Sequence, residues 1–402
     1  MHSGSMARGP ADTPAVWCPK MEVRIGSGWS TVEDARVAAI EAGTDARQAL
    51  DGCRPDLVVI FASGLHLEAA EATLEGVHEA LAPRDLIGCG VGAVLAQGRE
   101  FEDRSAVTVW AGSFPDAAIE TFHLTLGDRD GQPGLDGLSP SAGHGPALLL
   151  PAPQHFPTEL ALDALAQAAP GRPVLGGVAS ALTRDGTPVL FRGADVLTGG
   201  AVGAILNGVE MLPCVSQGVA PIGPILEVTE ADGRIIRTLD GVPALERLRA
   251  AIDGLSGSDR SLVSSGLLLG VAQEAAPLPE YLVQGLVGAD PQAGTIAVGV
   301  AVEEGALVRL HARDAATAAH DLRERLALRR EALDGDPAGA LVFTCNGRGA
   351  RFFGSADQDA GAVDEIFGGA PSAGFFAAGE IGPVAAVNLM HGFTATVAVF
   401  AA

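Results

Sequence analysis

Two kinds of apolar segment alternate along the chain, continuous runs and runs broken by glycine at every second position. Residues 21–25 alternate as a strand, and 31–50 read as an Ala-rich helix capped by Ser30 or Thr31. Residues 56–61 form an unbroken apolar run that closes on Ser63-Gly64, the pattern of a strand buried on both faces. A helix is predicted over 66–81. The Gly-spaced segment 86–93 follows, its glycines leaving one face bare for close approach of another backbone or a ligand. Residues 106–111 and 119–126 predict antiparallel strands, and 127–145 a loop rich in Gly, Asp and Pro.

The succession then recurs. A strand at 147–150, a helix at 158–168 and a Gly-spaced strand at 173–180 are followed by antiparallel material at 189–192 and 194–207. A further copy has its strand at 340–344, its helix at 357–367 and its Gly-spaced strand at 371–379, closed by 391–400. Between these lie a hairpin over 222–237 turning at Ala231-Asp232-Gly233, a short helix over 243–252 and strands at 262–272, 281–287, 295–300 and 307–310. The longest predicted helix spans 314–333. The pattern predicts an α/β fold of two related halves, with mixed, partly antiparallel sheets flanked by helices and an internally duplicated strand-helix-strand-hairpin unit. Pro and Gly at 217–224 place a boundary between domains 21–220 and 221–402, after a disordered or vector-derived lead-in over 1–20.

Composition narrows the function. With 402 residues, 48% of them hydrophobic and 19% charged, the chain can bury two cores. A net charge of -23 repels phosphate backbones and anionic membrane surfaces, so neither nucleic acid binding nor membrane insertion is expected. No apolar run reaches the ~18 residues needed to span a bilayer. The five cysteines are widely spread with no C-x-x-C pair, and the nine histidines do not cluster. These patterns argue against a disulfide framework and a metal site, and fit a cytoplasmic protein. No P-loop is present, and Gly88-Cys89-Gly90-Val91-Gly92 has the wrong spacing for a dinucleotide fingerprint, so no cofactor is expected.

Candidate chemistry gathers in the last sixty or so residues. Cys345 sits where an apolar strand runs into Asn346-Gly347-Arg348-Gly349, a turn whose amides can form an anion-binding nest. Arg348 beside it would lower a thiol pKa, the setting of a reactive cysteine; a buried cysteine closing a strand is the plainer reading. Glu380 follows a strand of Gly, Ala, Phe375 and Phe376, where an acid is costly unless paired, and Arg348 or Arg351 is the expected partner. His391 could complete the cluster or cap a strand.

These residues resemble the FIST family (F-box and intracellular signal transduction). Cys345-Asn346-Gly347-Arg348-Gly349 and Gly374-Phe375-Phe376-Ala377-Ala378-Gly379-Glu380-Ile381-Gly382-Pro383 are similar to the hallmarks of the FIST C-domain, and the region 57–235 resembles the FIST N-domain. The resemblance implies a sensory module that binds a small ligand such as an amino acid. No kinase, cyclase, receiver or methyl-accepting segment follows the last strand, so output is expected to run through a separate signalling partner. On this reading Arg348 and the turn amides hold a carboxylate or similar anion, Glu380 takes an amine, and Phe375 and Phe376 form an apolar wall, with Cys345, Asn346, Gly347, Gly349 and His391 completing the site. The alternatives are an enzyme using Cys345 as nucleophile, with Glu380 or His391 as base, and an interaction scaffold.

Overall fold

The computed structural model describes residues 22–129, 132–139, 143–154, 156–263, 266–272, 281–384 and 386–402. The lead-in expected over 1–20 lies outside the described residues. The chain is α/β, with mixed sheets flanked by helices.

Among the described residues the recurring unit occurs three times, and each copy is built around a parallel pair of strands. The pairs are Leu57–Ser63 with Asp85–Val91, Ala147–Pro151 with Val174–Gly177, and Pro337–Cys345 with Ser372–Ala377. A return strand lies antiparallel to the first member of each: Val107–Ser113, Ala201–Asn207 and Ala395–Ala401. Beyond it runs an outer strand: Arg24–Ser30, Ala118–Arg129 and Met211–Ser216. The segments predicted at 106–111 and 119–126 thus fall in different sheets.

The hairpins are exchanged between copies. Val94–Ala96 with Arg99–Phe101, from the first copy, extends the third sheet. Leu190–Arg192 with Asp195–Leu197, from the second, extends the first. Glu380–Val384 with Val387–His391, from the third, extends the second. The entry bond is the same each time: Gly90, Val178 and Phe376 donate their N–H groups to Val189, Gly379 and Ala93. A cyclic exchange ties three sheets into one body.

The register explains the glycine spacing. Gly88, Gly176 and Gly374 occupy one position in the three copies, opposite Ile60, Leu149 and Val342. A Cβ on them would lie 2.1, 1.9 and 1.8 Å from those residues' carbonyl oxygens, so a side chain there forces the parallel strands apart. One interior joins the three sheets, with Phe61, Leu148, Leu175, Phe343 and Phe375 in a single apolar cluster. The Phe61 and Phe375 rings lie 4.8 Å apart and Phe343 and Phe375 5.5 Å apart. Each such buried ring contributes about 1.5–3 kcal/mol. Helices cover the outer faces: Ala35–Gln48 and Ala70–Leu81 on the first sheet, Thr158–Ala168 on the second, Ala315–Glu331 and Gln358–Ile366 on the third.

A further seven-stranded sheet is inserted into the third copy between Met211–Ser216 and Pro337–Cys345. Its hairpin, Val219–Asp232 with Ile235–Leu239, turns where predicted, and it buries its own core around Ile222, Leu226 and Leu269.

Several local expectations are corrected. Asp34, not Ser30 or Thr31, caps the first helix by accepting from Val37 N–H. Leu262 ends a short helix, and the strand predicted from there begins at Leu267. Residues 127–145 contain the strand Gln132–Asp136, and 391–400 divides at a bend between hairpin and return strand. Cys89, Cys214 and Cys345 are free, whereas Cys53 is disulfide-bonded, which the cysteine spacing did not suggest.

Candidate functional site

Cys345 ends its strand, and its N–H donates to the Thr394 carbonyl at 3.0 Å. Ser63 and Ala152 make the corresponding bonds to Ala106 and Gly200 in the other copies. Phe343, two residues earlier, faces the shared interior, so strand alternation places Cys345 at the rim of that interior. Cys345 is 9% exposed, and its Sγ accepts from Gly347 N–H at 3.4 Å.

Glu380 begins the exchanged hairpin opposite His391 and is fully buried. Its counterparts, first in their hairpins, are Val94 and Leu190, both in the apolar core. The third copy therefore puts a carboxyl where the others put aliphatic side chains. Glu380 Oε2 accepts from Thr394 N–H at 3.0 Å and from its hydroxyl at 2.8 Å, while Oε1 has no hydrogen-bond partner within the usual geometry. Cys345 is its titratable neighbour, the thiol lying within hydrogen-bonding reach of the carboxyl. Burial pushes the Glu380 carboxyl well above the usual carboxylate range, against the opposing pull of the Thr394 donors, the Cys345 thiol and Arg348. Burial, followed by the Glu380 charge, raises the Cys345 thiol, so a resting thiolate is disfavoured. Arg348 attracts the thiolate, but burial and Glu380 outweigh it, so the expected net lowering of the thiol pKa does not occur.

Arg348 is committed elsewhere. At 1% exposure its Nε and Nη2 donate to the two carboxylate oxygens of Asp359, each at 2.8 Å, and the Thr344 hydroxyl donates to the same carboxylate. Arg348 attracts Glu380 through space, but its ion-pair partner is Asp359. Nη1 is left without a partner beside Gly218, where a Cβ would stand 2.1 Å from it. Arg351 is exposed.

The turn after Cys345 is filled from within. Asn346 is exposed, and Gly349 leads into an Ala350 N–H that donates to Glu102 Oε1 at 2.7 Å. A Cβ at Gly349 would lie 1.9 Å from Glu102 Oε2. Of the amides here, Gly347 N–H turns back to the Cys345 sulfur and Ala350 N–H holds the Glu102 carboxylate that follows the first copy's hairpin. Phe375 and Phe376 face opposite sides of their sheet, one into the shared interior and the other under the covering helices, so together they build no single wall. The His391 ring is buried and bonded to the Gly382 carbonyl at 2.9 Å, and burial lowers its pKa.

Sequence reasoning missed Arg313 and made little of Phe393. Phe393 has φ 63°, the left-handed region, where a bulky side chain is strained. The Arg313 guanidinium, from the last strand of the inserted sheet, lies 3.0 Å from its ring centroid. Arg313 Nε has no partner, and its charge is felt at Cys345. Phe393 also packs against Val219, Leu268 and Val283 of the inserted sheet, so the cluster stands where that sheet meets the three-sheet body. Among the described residues no group of His, Cys, Asp and Glu could hold a metal ion, and no helix is long and apolar enough to cross a membrane.

Related sequences match this chain along nearly its whole length. The chain is similar to an uncharacterized protein of Mycobacterium tuberculosis strain H37Rv, 46% identical over 385 residues, covering 94% of this chain and all of that one. An uncharacterized protein of Mycobacterium bovis is 45% identical over 386 residues, covering 94% of this chain and 99% of the relative. FIST domains are associated with signal transduction and small-ligand sensing. With the FIST N domain matching residues 56–242 and the FIST C domain residues 244–383, the chain belongs to the FIST family.

Proposed function

We propose that this FIST protein is a cytoplasmic sensor that binds a small, amino-acid-like or otherwise anionic ligand where the inserted sheet meets the third copy, and passes the signal to a separate protein. The observation that carries the reading is Glu380, a fully buried carboxyl at a position its two counterparts fill with Val94 and Leu190, with the Thr394 donors on one oxygen and the Cys345 thiol as its remaining polar neighbour. Burying such a group costs stability, and a site that uses it gives a reason for keeping it.

The donors suit an anion. Arg348 Nη1 and Arg313 Nε have no partners, and both side chains border Phe393 or the turn before the inserted sheet. A ligand carboxylate meets these two cations, and an ammonium meets Glu380, which ionises when a cation arrives. Phe393, in place of Phe375 and Phe376, supplies the apolar contact. Asn346, Gly347 and Gly349 shape the turn, and His391 holds the hairpin.

The test is a thermal-shift screen of small carboxylates, amino acids among them, against the wild type, Glu380→Gln and Arg313→Ala. Compounds that raise the wild-type midpoint are expected to lose their effect in both variants. Undiminished shifts in both would remove the site assignment.

A further inference from the structure

We infer a second ligand site, for an uncharged and largely apolar molecule, at the strand ends of the second copy. Two adjoining cavities of about 710 and 570 Å³ open there and share Ala152, Pro153, Gln154, Phe156 and Leu182 as lining, which makes them one cleft. Each volume is within the ~300–1,000 Å³ typical of small-molecule sites.

The repeat explains why space exists here. Ala152 is the counterpart of Cys345, and Gly200, which accepts its N–H, is the counterpart of Thr394. The residue before it, Gly199, therefore stands where the third copy has Phe393. In the third copy the Phe393 ring, Arg313 and the inserted sheet occupy this corner. The second copy has no side chain at 199, and a Cβ built there meets nothing within 4 Å.

The lining sets the ligand class. Phe156, Leu126, Leu182, Val196 and Met390 supply apolar walls. His123 and Gln154 offer polar contacts, the His123 Nε2 being bonded to the Gly199 carbonyl at 2.7 Å. Among the described residues no Arg or Lys lines either part, so nothing there would neutralise a carboxylate or phosphate, and the one carboxylate in the lining, Glu159, is exposed to solvent and borders only the smaller part. This is the opposite of the Arg348 and Arg313 environment, so the two sites take different ligands.

The probe is N-phenyl-1-naphthylamine, a neutral dye that brightens in apolar surroundings. The wild type is expected to bind it saturably at one dye per chain. Gly199→Phe, which installs the third copy's residue in open space, and Leu182→Gln, which makes a wall polar, are each expected to weaken binding about tenfold or more with unchanged unfolding midpoints. Val287→Ser, at an exposed position (71%), is expected to bind as the wild type does. Absence of saturable binding, or wild-type affinity in both cleft variants, overturns the proposal. Loss of binding in Val287→Ser alone does the same, because the dye would then be reporting exposed surface.

Discussion

Replacing Asp359 with leucine tests whether the fold holds Arg348 through Nε and Nη2, the arrangement that leaves only Nη1 for a ligand. The substitution removes both 2.8 Å hydrogen bonds to Arg348 and strands a guanidinium that is 1% exposed. It also removes the acceptor of the Thr344 hydroxyl. Breaking a buried pair from one side costs about 3–5 kcal/mol, because the remaining charge has lost its partner and cannot reach water. Replacing both members with apolar groups removes that stranded charge and is close to neutral in many proteins. Urea unfolding of the wild type, Asp359→Leu and Arg348→Met/Asp359→Leu should therefore show a large loss in the single variant and recovery of most of it in the double. A loss below about 1 kcal/mol would be the value of an exposed pair and would refute the assignment. Equal losses in the single and double variants would locate the cost in packing instead of charge.

Two other predictions follow from the same geometry. Gly374→Ala should destabilise by about 1–3 kcal/mol or more, read by urea unfolding, because its Cβ would lie 1.8 Å from the Val342 carbonyl oxygen; a neutral effect would contradict the strand packing. Iodoacetamide should label Cys345 slowly at neutral pH and quickly after unfolding, because burial and Glu380 hold the thiol protonated. Rapid labelling of the folded protein would revive the nucleophile reading.

Much of the fold was legible because it is repeated. Gly88, Gly176 and Gly374 stand at one register position, and each lies in a Gly-spaced run after an apolar run and a helix. The hairpin exchange was hidden, since alternation predicts a strand but does not say which sheet it joins. Cys345, Arg348 and Glu380 stood out in sequence as chemistry in apolar surroundings. Their partners did not. Asp359 reads as an ordinary acid in a helix's first turn, and Glu102, which fills the turn at Ala350, lies 248 residues away. Arg313 carries no local signal, because its role depends on where the inserted sheet comes to rest.

The third copy differs from the other two by a carboxyl in an apolar position, and the protonation of that carboxyl is the quantity to measure. Infrared difference spectra of the wild type against Glu380→Gln, recorded across pH, isolate the carbonyl stretch of a protonated Glu380. At about pH 6, where an ordinary glutamate is ionised, the band should still be present, because burial raises the pKa of Glu380. A band already lost near the usual glutamate pKa would contradict it, since Glu380 would then be a well-solvated carboxylate and not the buried, incompletely satisfied group on which the proposed site rests.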